Sequence, residues 1–178
     1  MDKFFCAEAS RQAEENPIGW AAPCPLYILI ECPPPWTGDE FASQSISANL
    51  KVLVEEIYQA EPAAMVLLIY SHILTKKNST KLLIFRQKSG LCDGYSKQET
   101  EVNCINDIAL VLQDYLANPI PTEAPPPLTR DILICTHGSH DKCCAKYGIP
   151  FYRQAIATVT SLGLENVRIW QSSHFGGH

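Results

Sequence analysis

The chain has 178 residues, 46% of them apolar, and a net charge of −5. That length and composition allow a packed core, as one domain or two small ones. There is no basic block or Arg/Lys cluster, which argues against nucleic acid or an anionic membrane as partner. Residues 1–5 lead directly into Cys6-Ala-Glu-Ala-Ser-Arg11 without an apolar h-region. The most apolar stretch, 63–74, is too short to span a bilayer and contains His72. A cytoplasmic protein is expected. The eight cysteines (Cys6, Cys24, Cys32, Cys92, Cys104, Cys135, Cys143 and Cys144) then read as metal ligands or free thiols rather than disulfides.

Leu26 to Glu31 is a compact apolar run and reads as a buried strand, which Pro33-Pro34-Pro35 ends because proline cannot donate to a ladder. From Ser47 the pattern turns helical, with Leu50, Leu53, Val54 and Ile57 on one face and Lys51, Glu55 and Glu56 largely off it. Residues 65–71 form a second strand. Lys76-Lys77-Asn78-Ser79 reads as a turn, and 82–87 as a third strand, expected to pair antiparallel with the second. Ile105, Ile108, Ala109, Leu112 and Leu116 mark an amphipathic helix, with Asn103 or Asn106 as candidate caps.

Strand, helix, strand, strand, helix is the order of a thioredoxin-like βαβ–ββα unit, expected over residues 1–117 and without an obvious site of its own. A proline-rich, semi-rigid linker follows at 118–129. The order then restarts. Residues 131–135 read as a strand and Pro150 as the first helical residue. Phe151, Ala155, Ile156, Val159 and Leu162 read as one helical face, Gly163 as the residue that stops the helix, and 167–171 as the next strand. This βαβ unit should have parallel strands. The matching ββα half is missing, so 130–178 reads as a truncated second half that carries the site.

Two motifs stand at the ends of those last two strands. One is Cys135-Thr-His-Gly-Ser-His-Asp-Lys-Cys143-Cys144, and the other is His174-Phe-Gly-Gly-His178. Parallel strands bring their carboxyl ends to one place, where open sheets bind ligands. The motifs therefore read as two halves of one metal site. Gly176-Gly177 argues against a helix there and permits a turn that directs both imidazoles at one ion. Cys135 is too far from Cys143 for a zinc-knuckle pair. Cys135-Thr136-His137 resembles the first half of a Rieske box, with no C-x-x-H to complete it. Cys32 and His72 end the first two strands in mirrored places, one ligand type at each. Cys6, Cys24, Cys92 and Cys104 lack ligand spacing, and Trp20, Trp36 and Trp170 read as core or edge aromatics.

The C-terminal third resembles the thioredoxin-like 2Fe–2S ferredoxin family, the sucrase/ferredoxin-like proteins, with their C-x-H-x-x-R-D-x-x-C loop and H-x-G-G-H motif. Phe5-Cys6-Ala-Glu-Ala-Ser-Arg11 and the Tyr27 to Trp36 segment resemble the family's first half more weakly. The resemblance implies Cys135, Cys144, His174 and His178 as iron ligands of a 2Fe–2S cluster. His137, Asp141 and Cys143 would stand around the ligands or substitute for one. His140 stands where the family usually carries Arg, Cys143 is an extra thiol, and family members continue past H-x-G-G-H.

Two thiolates and two imidazoles suit either a 2Fe–2S cluster or a structural zinc. The first implies a one-electron carrier, rather than a stand-alone enzyme, served by a redox partner protein. No G-x-G-x-x-G follows a strand, so the chain is not expected to take hydride from a nicotinamide itself. The second implies a zinc-stabilised structural or interaction module. A thiol–disulfide oxidoreductase lacks its C-x-x-C at a helix start. Sugar hydrolysis needs a facing carboxylate pair, which the scattered acidic residues do not offer.

Overall fold

The computed structural model of the chain describes residues 4–16, 24–89, 94–118 and 129–176. Trp20, Cys92, Gly177, His178 and all of the proline-rich segment except Asn118 and Thr129 lie outside the described residues. Among the described residues there are six strands and four α-helices. In chain order the elements are α1 (Cys6–Gln12), β1 (Leu26–Glu31), α2 (Ala48–Ala60), β2 (Met65–Tyr70), β3 (Thr80–Gln87), β4 (Tyr95–Val102), α3 (Ile108–Ala117), β5 (Arg130–Cys135), α4 (Ile149–Ser161) and β6 (Val167–Ser172). No described helix is long and apolar enough to cross a membrane.

All six strands form one mixed sheet in the order β4-β3-β1-β2-β6-β5. Strands β1–β4 join the β5–β6 pair where β2 runs antiparallel to β6, pairing Ile69 with Ser172 and Tyr70 with Gln171. The third strand is not the partner of the second. β3 pairs antiparallel with β1, which also pairs parallel with β2, so segment 71–79 carries the chain across the end of β1. The central place falls to β1 because its Leu26–Glu31 run is buried at all but one position and needs a neighbour on each side.

Alternation along the strands separates two apolar faces. Ile28 and Ile30, with Val66, Leu68, Leu82 and Ile84, pack against α2 and α3. The α2 residues buried there, Leu50, Leu53, Val54 and Ile57, are the four that the helical period selects. Ile134 and Ile169 pack against Tyr152, Ala155, Ile156 and Val159 of α4. Phe151 and Leu162 are instead 62% and 65% exposed, and Tyr152 takes the buried place, so the contact stripe is rotated from the expected one. The opposite face gathers Leu29, Leu67, Ile69, Leu83 and Trp170.

The sheet curls around that second face until its edges meet. Lys97 of β4 reaches Asp131 of β5 at 2.5 Å, and Arg168 of β6 forks onto Glu99 of β4 with two 2.8 Å bonds. Closure at this seam is by side chains, not by a ladder. α3 starts behind Asp107 after a short 3-10 turn, and neither Asn103 nor Asn106 caps it. α4 ends as expected: Gly163 has φ +62°, its N–H donates to Thr160 O, and Leu164 N–H donates to Val159 O.

Candidate metal centre

The parallel register of β5 and β6 sets Cys135 opposite Ser172. Ser172 O accepts from Thr136 N–H at 3.1 Å. Ser173 is fastened to β2 through both its N–H to Leu68 O at 2.8 Å and its Oγ from Leu68 N–H at 3.1 Å. His174 therefore leaves the sheet beside Cys135, at the carboxyl ends of two neighbouring strands. The third donor comes from the loop between β5 and α4. Asp141 Oδ1 accepts from Cys143 N–H at 2.6 Å and caps a helical start at Lys142. The helix thus begins before Pro150. Cys144–Gly148 form one wide π turn before the α-helical run at Ile149. Pro150 lacks the N–H that a regular turn would use, and its ring crowds the carbonyl four residues back, so a wider preceding turn suits it.

Donor atoms of Cys135, Cys144 and His174 all lie within 4.8 Å of one another. His174 Nδ1 is 3.6 Å from Cys144 Sγ and 3.9 Å from Cys135 Sγ. Burial first, and then the adjacent Cys135 thiol, push the Cys144 thiol far above the ordinary thiol range. A bound cation would favour the Cys144 thiolate that burial disfavours.

Two further groups of ligating atoms satisfy the same 4.8 Å limit among the described residues: Cys6 with Asp141 and Cys143, and Glu40 with His137 and His140. His137 is 2% exposed, and both its nitrogens are engaged. A carbonyl can only accept, so His137 Nε2–H donates to Thr37 O at 2.6 Å. That tautomer leaves Nδ1 as the acceptor for His174 N–H at 3.3 Å. Trp36 stands edge-on to the same ring with centroids 5.8 Å apart. His137 thus ties the loop after β1 to the backbone of His174, and it positions that residue. His140 donates from Nδ1 to Gly38 O at 3.0 Å and stacks on the His174 ring at 4.1 Å. Both histidines lean on segment 36–38, which the sequence associates only weakly with the site.

Cys143 does not join Cys135 and Cys144; its Sγ lies 3.6 Å from Cys6 Sγ. Contact with Cys143, then burial and Asp141, hold the Cys6 thiol above the ordinary range. The mirrored residues of the first half do other work. Cys32 is fully buried and meets Ser45 Oγ at 3.2 Å, and His72 Nδ1 meets Tyr152 Oη at 3.1 Å. Gly148 has no counterpart in the motif reading. A Cβ on it would stand 1.9 Å from Cys135 O, so only glycine lets the wide turn approach the end of β5. His178, the remaining sequence candidate, lies outside the described residues.

No curated protein and no solved structure matches the chain. A family model, sucrase/ferredoxin-like, matches residues 17–178, which include both ligand motifs and every strand of the sheet. The chain therefore belongs to the sucrase/ferredoxin-like family.

Proposed function

We propose that this protein is a one-electron carrier holding a 2Fe–2S cluster on Cys135, Cys144, His174 and His178. The observation that carries this reading is the convergence of two thiols and one imidazole nitrogen within 4.8 Å at the carboxyl ends of β5 and β6. The donor set fits the group. Soft thiolates and imidazoles are the ligands of such clusters. The fourth ligand, His178, follows Gly176, whose φ of +78° already turns the chain. When bound, the cluster supplies a one-electron couple. The two imidazoles are neutral where a plant-type site has thiolates, which lowers the negative charge of the ligand set and favours uptake of an electron. The second nitrogen of each ligating imidazole can titrate, so reduction couples to pH. His137 holds the His174 backbone, and His140 covers its ring. A reductase or electron acceptor in the cytoplasm completes the pathway; nucleic acid and membrane do not take part. The N-terminal strand order β4-β3-β1-β2, with β3 antiparallel to its neighbours, supports a thioredoxin-like ancestry for that half.

Protein purified anaerobically is expected to be red-brown, to contain iron and acid-labile sulfide, and to give an EPR signal after reduction. Colourless protein that retains zinc would instead establish a structural module. Cys144→Ser is expected to abolish the cluster and Cys143→Ser to leave it largely intact, because Cys143 groups with Cys6 and Asp141. The reverse pattern of absorbance would exchange the two cysteines in the ligand set. His178→Cys is expected to keep a cluster, lower its potential and flatten its pH dependence. An unchanged potential in film voltammetry removes His178 from the ligands.

A further inference from the structure

The extra thiol of the loop has a partner 137 positions away in the chain. Cys6 Sγ and Cys143 Sγ are 3.6 Å apart. At that separation the sulfurs are in van der Waals contact, and a disulfide would bring them to roughly 2.05 Å. The approach does not depend on the sulfurs alone. Tyr147 Oη donates to Glu8 Oε2 at 3.0 Å, and Lys146 Nζ reaches the same oxygen at 3.4 Å. Lys146 Nζ also lies 3.7 Å from the centre of the Phe5 ring, which meets Tyr147 edge-on. These contacts fasten α1 to the wide turn that begins at Cys144. Asp141 belongs to the same cluster but already caps the helical start through Oδ1 and accepts from Cys6 through Oδ2. With the carboxylate occupied, the two thiols are the reactive pair.

We propose that Cys6 and Cys143 form a redox-active dithiol, which closes to a disulfide and clamps α1 across the turn carrying Cys144. The oxidant is a small disulfide of the glutathione type. Cys6 is partly exposed and Cys143 only 4% exposed, so the oxidant meets Cys6 first. The Cys6 thiolate attacks one sulfur of the oxidant, expels one glutathione thiol and leaves a mixed disulfide. Cys143 then loses its proton, attacks the Cys6 sulfur and expels the second glutathione. The two protein thiols lose two electrons and two protons, and the oxidant's S–S bond is reduced to two thiols. Cys135 and Cys144 take no part, since they belong to the other group of donor atoms.

The test uses the whole protein as purified, treated with glutathione disulfide at mildly alkaline pH, alkylated, and digested with trypsin without reductant. The expected product joins peptide 4–11 to peptide 143–146, lighter than the two by two hydrogens and separated by added reductant. It is absent from Cys6→Ser and from Cys143→Ser. Three results would overturn the proposal: no cross-link in the wild-type protein, a cross-link that survives in Cys143→Ser and so runs through Cys144, or glutathione left stably attached to Cys6. The readout is a peptide mass, independent of colour or metal content. Failure of this pair is therefore distinguishable from failure of the cluster reading.

Discussion

Gly148→Ala is expected to destabilise the protein by about 3 kcal/mol and to lower its metal content in parallel. Backbone propensity alone predicts the opposite sign. Gly148 has helical angles, φ −66° and ψ −43°, and replacing such a glycine by alanine ordinarily stabilises a helix by about 1 kcal/mol. The contact decides the outcome. The added methyl would stand 1.9 Å from Cys135 O and 3.1 Å from Cys135 C, both backbone atoms at the end of a paired strand. Nothing there rotates away, so the turn must retreat from the strand and carry Cys144 away from Cys135. Gly163→Ala is the control. Its methyl meets nothing within 4 Å, but φ is +62°, so a cost of about 1 kcal/mol without loss of metal is expected. Denaturant midpoints and metal analysis of the two variants distinguish crowding from backbone strain. Equal stability of Gly148→Ala and wild type would mean that the turn and strand tolerate separation.

What the sequence shows of this site is its convergence. Cys135 and His174 follow apolar runs that read as parallel strands, and the register of Cys135 with Ser172 brings their side chains to the same edge. Its supports are less visible. The bond from His174 N–H to His137, and from His137 to Thr37 O, joins segments 100 residues apart, which no local period encodes. The same holds for Cys6 beside Cys143, and Gly148 gives no signal until its neighbour across the turn is known. In the fold, apolar runs mark β1, β2, β3, β5 and β6. Strand β4 escapes because its sequence, YSKQETEV, has no apolar alternation. Lys97, Glu99 and Glu101 share one side of it and are held by charge, Lys97 by Asp131, Glu99 by Arg168 and Glu101 by Lys81, and of the three only Lys97 is buried. Hydrophobic patterning cannot find a strand held at the sheet edge through ion pairs, and without β4 the curl of the sheet and the place of β3 next to β1 are hidden as well.

That charged seam is where the second large effect is expected. Asp131→Ala should cost about 3–5 kcal/mol, a substantial part of the stability of a domain this size. The Asp131 side chain is only 4% exposed and serves three donors: Arg168 Nε at 2.7 Å, Trp170 Nε1 at 2.8 Å and Lys97 Nζ at 2.5 Å. Removing it leaves Lys97, whose side chain is 5% exposed, with Glu99 at 3.4 Å as its remaining ion-pair partner, and it orphans the indole N–H inside the core. Asp131→Asn should cost less, since the amide oxygen can keep Trp170. Lys76→Ala, in a pair 65% and 40% exposed, should stay within about 0.5 kcal/mol because water already screens it. The pH dependence has a definite sign. Burial would raise the Asp131 carboxyl, but bonds from Arg168, Lys97 and Trp170 outweigh it and hold the group below the usual carboxylate range. Its contribution is therefore complete above the unfolded value near 3.9 and disappears as pH falls through the lower folded value. Denaturation curves at neutral pH and in progressively stronger acid should show the gap between wild type and Asp131→Ala narrowing on acidification. A gap that is small at neutral pH, or that widens in acid, would mean that the sheet edges are held together by something other than this ion cluster.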